Sequence, residues 1–80
     1  MKVEKLTAKL LAGKVRNWRF EDACRVAGHC GWSLTRTSGS HHLFTHKRQE
    51  VPSLNLQSKN GQAKPYQLRQ MKEAIETHAL

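Results

Sequence analysis

Residues 32–56, WSLTRTSGSHHLFTHKRQEVPSLNL, carry the pattern on which the fold turns. WSLTR (32–36) and VPSLNL (51–56) alternate large with small or polar side chains, HHLFTH (41–46) extends between them, and TSGS and KRQE separate the three as turns. This predicts a three-stranded antiparallel meander, with Pro52 confined to an edge or a strand start because it has no N–H for the ladder. A sheet this small is stable only if one face is covered. Upstream, VEKLTAKLLA (3–12) sets Val3, Leu6, Leu10 and Leu11 on one helical face and stops at Gly13. After the basic connector 14–19, FEDACRVAGHC (20–30) spaces Phe20, Ala23, Cys24, Ala27 and Cys30 as a second helix. Its acids Glu21 and Asp22 lie in the first turn, and Gly31 is placed to end it. Downstream, SKNGQAK reads as a loop, and Pro65 opens a last helix with Leu68, Met71 and Ile75 on its inner face. The expected class is α+β: one domain over residues 1–80, a three-stranded antiparallel sheet packed on helices.

With 80 residues the core is thin, burying only ~60% of the surface the unfolded chain exposes. Lysine and arginine number 14 against 6 acids, a formal charge of +8 and a pI near 10.1, so the chain attracts polyanions, nucleic acid first among them. The excess is uneven. Residues 1–20 and 31–70 are strongly basic, whereas 21–30 and 71–80 are slightly acidic. Lys47 and Arg48 in a strand turn, with Lys59 and Lys64 before the last helix, are candidates for neutralising phosphates. Arg69 and Gln70 are further candidates, while Trp18, Trp32 and Tyr66 either stack on bases or belong to the core. An anionic membrane bound through the N-terminal helix is a rival partner, but no apolar run approaches the ~18 residues of a spanning helix and nothing resembles a signal peptide. The expected compartment is the cytoplasm. Cys24 and Cys30 stand six helical steps apart, about 9 Å, too far to bridge and wrongly spaced for zinc. They are expected to be free thiols, with no metal and no cofactor.

The histidines raise the chemical question. Successive strand side chains face opposite ways, so His41 and His42 cannot share a face. If Phe44 anchors the core, His42 and His46 lie on its side while His41, Leu43 and Thr45 look outward; if Leu43 is the anchor, the assignment flips. The larger apolar group favours Phe44. An exposed imidazole among cations can take the proton from a ribose 2′-hydroxyl, whose oxygen then attacks the adjacent phosphate, and no metal is needed. The bland alternative is a histidine that hydrogen-bonds its strand neighbours.

Gly31-Trp32 at the first strand, Arg36 near its end, Gly39-Ser40-His41-His42 with Phe44 behind it, Leu54-Asn55-Leu56, and Ala63-Lys64-Pro65-Tyr66-Gln67 at the last helix form a set in fixed order. Over about residues 20 to 76 the chain resembles the HicA-type toxins, the small RNA-cleaving partners of HicB antitoxins in bacterial and archaeal toxin–antitoxin systems. The resemblance implies a double-stranded-RNA-binding-domain-like fold (α-β-β-β-α) over residues 19–78, with residues 1–18 as an N-terminal extension that many such toxins lack. It implies cleavage of messenger RNA by one histidine of the Gly-Ser-His motif: His41, with His42 as second choice because a bulge after Gly39 would shift the parity. Gly39 and Ser40 would form the turn supporting the site, Arg36, Lys47, Arg48, Lys59 and Lys64 would bind RNA, and a HicB-type antitoxin would silence the enzyme. The competing class is a module of the same fold that holds structured RNA without cutting it.

Overall fold

The computed structural model describes residues 1–80. Three helices, α1 (Val3–Leu11), α2 (Phe20–His29) and α3 (Pro65–His78), accompany four strands, β1 (Trp32–Ser38), β2 (His41–His46), β3 (Leu54–Lys59) and β4 (Gln62–Ala63). The strands form one antiparallel sheet in the order β1-β2-β3-β4. The class is α+β and compatible with an α-β-β-β-α frame, but the sheet has four strands rather than three.

The fourth strand arises where a loop was expected. Asn60 and Gly61 both have positive φ, 53° and 78°, and Lys59 pairs with Gln62 across them. That is the signature of a two-residue type I′ hairpin, whose twist matches its flanking strands. The third strand is also displaced, to 54–59 from the expected 51–56. Val51 is buried in the core cluster, and the Trp32 indole donates to the Pro52 carbonyl at 3.0 Å. This segment is therefore spent on packing, and pairing begins at Leu54.

One face of the sheet meets the helices. Trp32, Phe44, Leu54, Leu56 and Ala63 from the strands, and Ala23, Val26, Ala27, Leu68, Met71, Ala74 and Ile75 from α2 and α3, form a single buried cluster. Leu6 and Leu10 of α1, with Val15 and Trp18 of the connector, belong to the same cluster. Burying one such side chain contributes about 1.5–3 kcal/mol, so α1 is part of the core. Residues 18–20 also extend the sheet: Ala63 N–H donates to Trp18 O and Phe20 N–H to Gly61 O, while Arg19 bridges Gln62. Gln67, the one buried polar residue, accepts from Gln57 N–H at 2.8 Å. It stands in for a strand partner that the two-residue β4 is too short to provide.

The junction of α2 and β1 is the tightest point. Gly31 has φ +104°, and a Cβ there would lie 2.5 Å from His46 Nε2. That ring is fixed at both nitrogens: Nε2–H donates to Cys30 O at 2.8 Å, and Nδ1 accepts from Arg48 N–H at 3.0 Å. Its edge meets Trp32, ring centroids 5.0 Å apart. Gly31→Ala is expected to cost about 1–3 kcal/mol from backbone strain alone, plus the ring clash. In urea unfolding, part of that cost should vanish in a His46→Ala background, the coupling a double-mutant cycle reads.

The cysteines are free. Burial first, and the Glu21 charge second, push the Cys24 thiol from 9.0 up to about 11, and burial raises Cys30. Between pH 9 and about 11 the unfolded chain has lost the Cys24 proton while the folded chain keeps it. Its contribution to stability is thus full below pH 9 and falls as pH rises through that window. Cys24→Ala should flatten this part of the stability profile, measured by urea unfolding across the same pH range.

Candidate nucleic-acid interface and active site

The outer face of the sheet carries no helix. Its composition follows from register, because directly paired residues share a face. A two-residue turn, Gly39-Ser40, sets Ser38 opposite His41. Gly39 has φ +60° with open space around it, so glycine is needed there for backbone conformation and not for room. With Phe44 buried, period-two alternation puts His41 and Leu43 outside and His42 inside. His42 is half-buried against Phe20, ring centroids 4.7 Å apart, and its Nδ1–H donates to Ser40 O at 3.1 Å. His41 is exposed.

Arg36 reaches the same face by an irregularity. Regular alternation from Trp32 and Leu34 would turn Arg36 toward the core side. Between Leu34 and Arg36, however, the register slips by one, so Leu34 pairs with Phe44 and Arg36 with Leu43. Thr35 is the extra residue, its hydroxyl donating to Leu43 O at 3.2 Å. Such bulges re-aim the side chains that follow them. The break in parity thus falls in β1, not after Gly39, and it moves Arg36 rather than the histidine. Arg36, Ser38, His41, Leu43 and Asn55 line a shallow depression of about 210 Å³.

Within it, His41 Nδ1 lies 3.3 Å from Asn55 Oδ1. With Asn55 Oδ1 as acceptor, Nδ1 carries a hydrogen, and in the neutral ring the Nε2 lone pair is then left for a ligand. Asn55 was singled out in sequence only as part of a strand motif; its pairing opposite Leu43 brings it to the imidazole. Ser40 braces the turn, accepting Ser58 N–H on its carbonyl and the Gln57 amide on its hydroxyl.

The other expected phosphate ligands divide by end of the sheet. Lys59 is exposed beside the β3–β4 turn, near Ser40, and Lys64 caps α3. Arg19, which sequence reading passed over, pairs with Gln62 on the outer face, a placement that depends on the unforeseen hairpin. Lys47 and Arg48 follow the far end of β2, about 20 Å from His41 at the usual rise of a strand. Arg48 is also committed: Nε and Nη2 hold Glu50 at 3.0 and 2.9 Å, and Nη1 donates to His78 O at the end of α3. The Glu50 carboxyl is held below its usual range by its own backbone N–H and then by Arg48. Arg48 is therefore a structural clamp in this fold. Trp18 and Trp32 are each 2% exposed and belong to the core, leaving Tyr66, at 53%, as the one exposed aromatic of the three.

No strand contains an aspartate or glutamate, so nothing on this face repels a phosphate. No three His, Cys, Asp or Glu side chains come together as a metal site, and the raised thiol values make both cysteines poor nucleophiles. No helix is long and apolar enough to cross a membrane. What the depression offers is an acceptor nitrogen, a guanidinium and an amide, the parts for proton transfer beside a phosphate.

Neither a curated protein nor a solved structure matches the chain. The family model described as the HicA toxin of bacterial toxin–antitoxin systems matches residues 20–76. The matched span begins at Phe20, on which His42 rests, and runs through the whole sheet into α3. The chain therefore belongs to the HicA toxin family, the toxins of bacterial toxin–antitoxin pairs, and an antitoxin is its implied partner.

Proposed function

We propose that this toxin is a metal-independent endoribonuclease that cuts messenger RNA with His41 as its general base. The observation that carries the reading is the His41 ring: exposed, held by Asn55 through Nδ1, and set with Arg36 around one depression. In the proposed step His41 Nε2 takes the proton of a ribose 2′-hydroxyl and the 2′-oxygen bonds to the adjacent phosphorus. The bond from phosphorus to the 5′-oxygen breaks, and that oxygen leaves with a proton from solvent. The products are a 2′,3′-cyclic phosphate and a 5′-hydroxyl. Arg36 faces the phosphoryl oxygens as charge builds on them, the kind of electrostatic help that is largest in preorganised sites. Asn55 keeps the imidazole in the tautomer that accepts. Lys59 and Arg19 extend positive charge along the same face, and Lys64 lies beyond them. A HicB-type antitoxin silences the enzyme by covering the His41 face, in the cytoplasm where both are made.

His41→Ala is expected to lower cleavage by about 10²- to 10⁴-fold while leaving RNA affinity and the unfolding midpoint near wild type. Incubation of wild-type protein with RNA in EDTA should yield fragments ending in 2′,3′-cyclic phosphate. Intact RNA would instead indicate a module that binds without cutting, and a fully active His41→Ala protein would remove the assignment.

Arg36→Ala should lower the cleavage rate by about 10²-fold, read in single-turnover assays at saturating RNA, with little change in stability since the side chain is exposed.

A further inference from the structure

Positive charge also converges on the other side of the molecule. In the connector Lys14-Val15-Arg16, Val15 is buried, which turns its neighbours Lys14 and Arg16 outward. The connector is pinned from within: the indole of Trp18, 2% exposed, donates to Lys14 O at 2.7 Å. Arg69 follows the fully buried Leu68 on α3 and is exposed. Lys9, in the last turn of α1, rests its ammonium 5.2 Å from the centre of the Trp18 ring. These four cations, with Gly13 and Val15, line one open depression of about 450 Å³.

None of the four makes an ion pair; the three pairs in the molecule are Arg25–Asp22, Arg48–Glu50 and Lys72–Glu76. Lys9 has partial employment, since a cation in the last turn suits the helix dipole and the indole face attracts it. Lys14, Arg16 and Arg69 have no such partner. Four like charges brought together on one pinned surface repel one another, and an anion in the depression removes that cost. The adjoining depression shares Gly13, Val15 and Arg69 but contains Lys72, Glu73 and Glu76, so the positive region has a defined border.

We infer that Lys9, Lys14, Arg16 and Arg69 form a second phosphate-binding site, on the helical layer, which holds the RNA backbone away from the point of cleavage. The inference rests on the nucleic-acid reading of the outer face but involves none of its residues. The site lies on the layer opposite His41 in a molecule whose shortest extent is 21 Å. A strand touching both must pass round an edge, a path on the order of 20 Å or more and so of several phosphates. Short oligonucleotides reach one site only. The role of residues 1–18 follows: beyond completing the core, they supply three of the four cations of this anchor.

The test compares two triple variants of equal charge in a His41→Ala background, which keeps the RNA intact. Lys14→Gln/Arg16→Gln/Arg69→Gln removes the anchor, and Lys2→Gln/Lys5→Gln/Arg25→Gln removes the same charge elsewhere. Thermal unfolding confirms that each is folded. Binding is read by fluorescence anisotropy over a salt series, with a tetranucleotide and with RNA of about twenty nucleotides. For the longer RNA, the first triple should flatten the slope of log K against log salt by about 2 and weaken low-salt binding by on the order of 10- to 100-fold. The tetranucleotide should bind nearly as before, and the second triple should change both much less. Equal losses from the two triples would overturn the anchor and leave the outer-face reading standing. A parent protein that binds no RNA of either length would overturn both.

Discussion

A strand can bury only one of its two faces, and in β2 that choice is made by Phe44. Once its ring enters the core, every other side chain of the strand is assigned. His42 is pressed against Phe20, His46 is locked beneath Gly31, and His41 is left outside. Three imidazoles in six residues thus meet three environments. His46 has both nitrogens satisfied by backbone groups and serves the joint between helix and sheet. His42 bonds its own turn with its ring half-covered. His41 alone combines exposure with a side-chain partner that fixes which nitrogen carries hydrogen.

Much of this frame was legible in the sequence because it depends on period and composition. Sequence pattern located the start of all three helices and the ends of the first two to within a residue, and the size of Phe44 settled the parity of β2. What escaped depends on pairing between strands. Nothing in Ser33-Leu34-Thr35-Arg36 marks Thr35 as an extra residue; the bulge exists because β1 and β2 must keep both Trp32–His46 and Ser38–His41 in register. Asn60-Gly61 was a strong hairpin signal, masked by the polar residues around it. Val51 falls in one run with Leu54 and Leu56, but it stands three residues from Leu54 and so out of phase with that pair. Pro52 beside it offers no N–H, and the Pro52 carbonyl is taken by Trp32. Arg48 looked like a free cation because its partners are Glu50, two residues on, and the carbonyl of His78, at the far end of the chain.

The charge map follows from the same two-layer construction. The acids lie in the helices and in the turn at Glu50, and three of the six, Asp22, Glu50 and Glu76, pair with Arg25, Arg48 and Lys72. The sheet, free of acids, presents Arg36 and Lys59 on its open side, while the unpaired cations Lys14, Arg16 and Arg69 gather on the helical side. A net charge of +8 is therefore not a uniform coat. On the proposed reading, it divides into a face where phosphate is acted upon and a face where it is held.

That division bears on how an antitoxin works. If both proposals hold, a protein covering only the outer sheet face would block His41 and leave the helical cations open, so a silenced toxin would still touch RNA. Full release from nucleic acid requires a partner that neutralises both layers, or one whose own charge outweighs the second. The first arrangement is the less demanding, because the His41 depression is small and its exposed imidazole adds little to the core. On the same proposed reading, catalysis and stability separate within one strand. Removing the His41 ring leaves the packing around Phe44 and His46 untouched, whereas any change at Gly31 or His46 disturbs the joint on which the strand is hung.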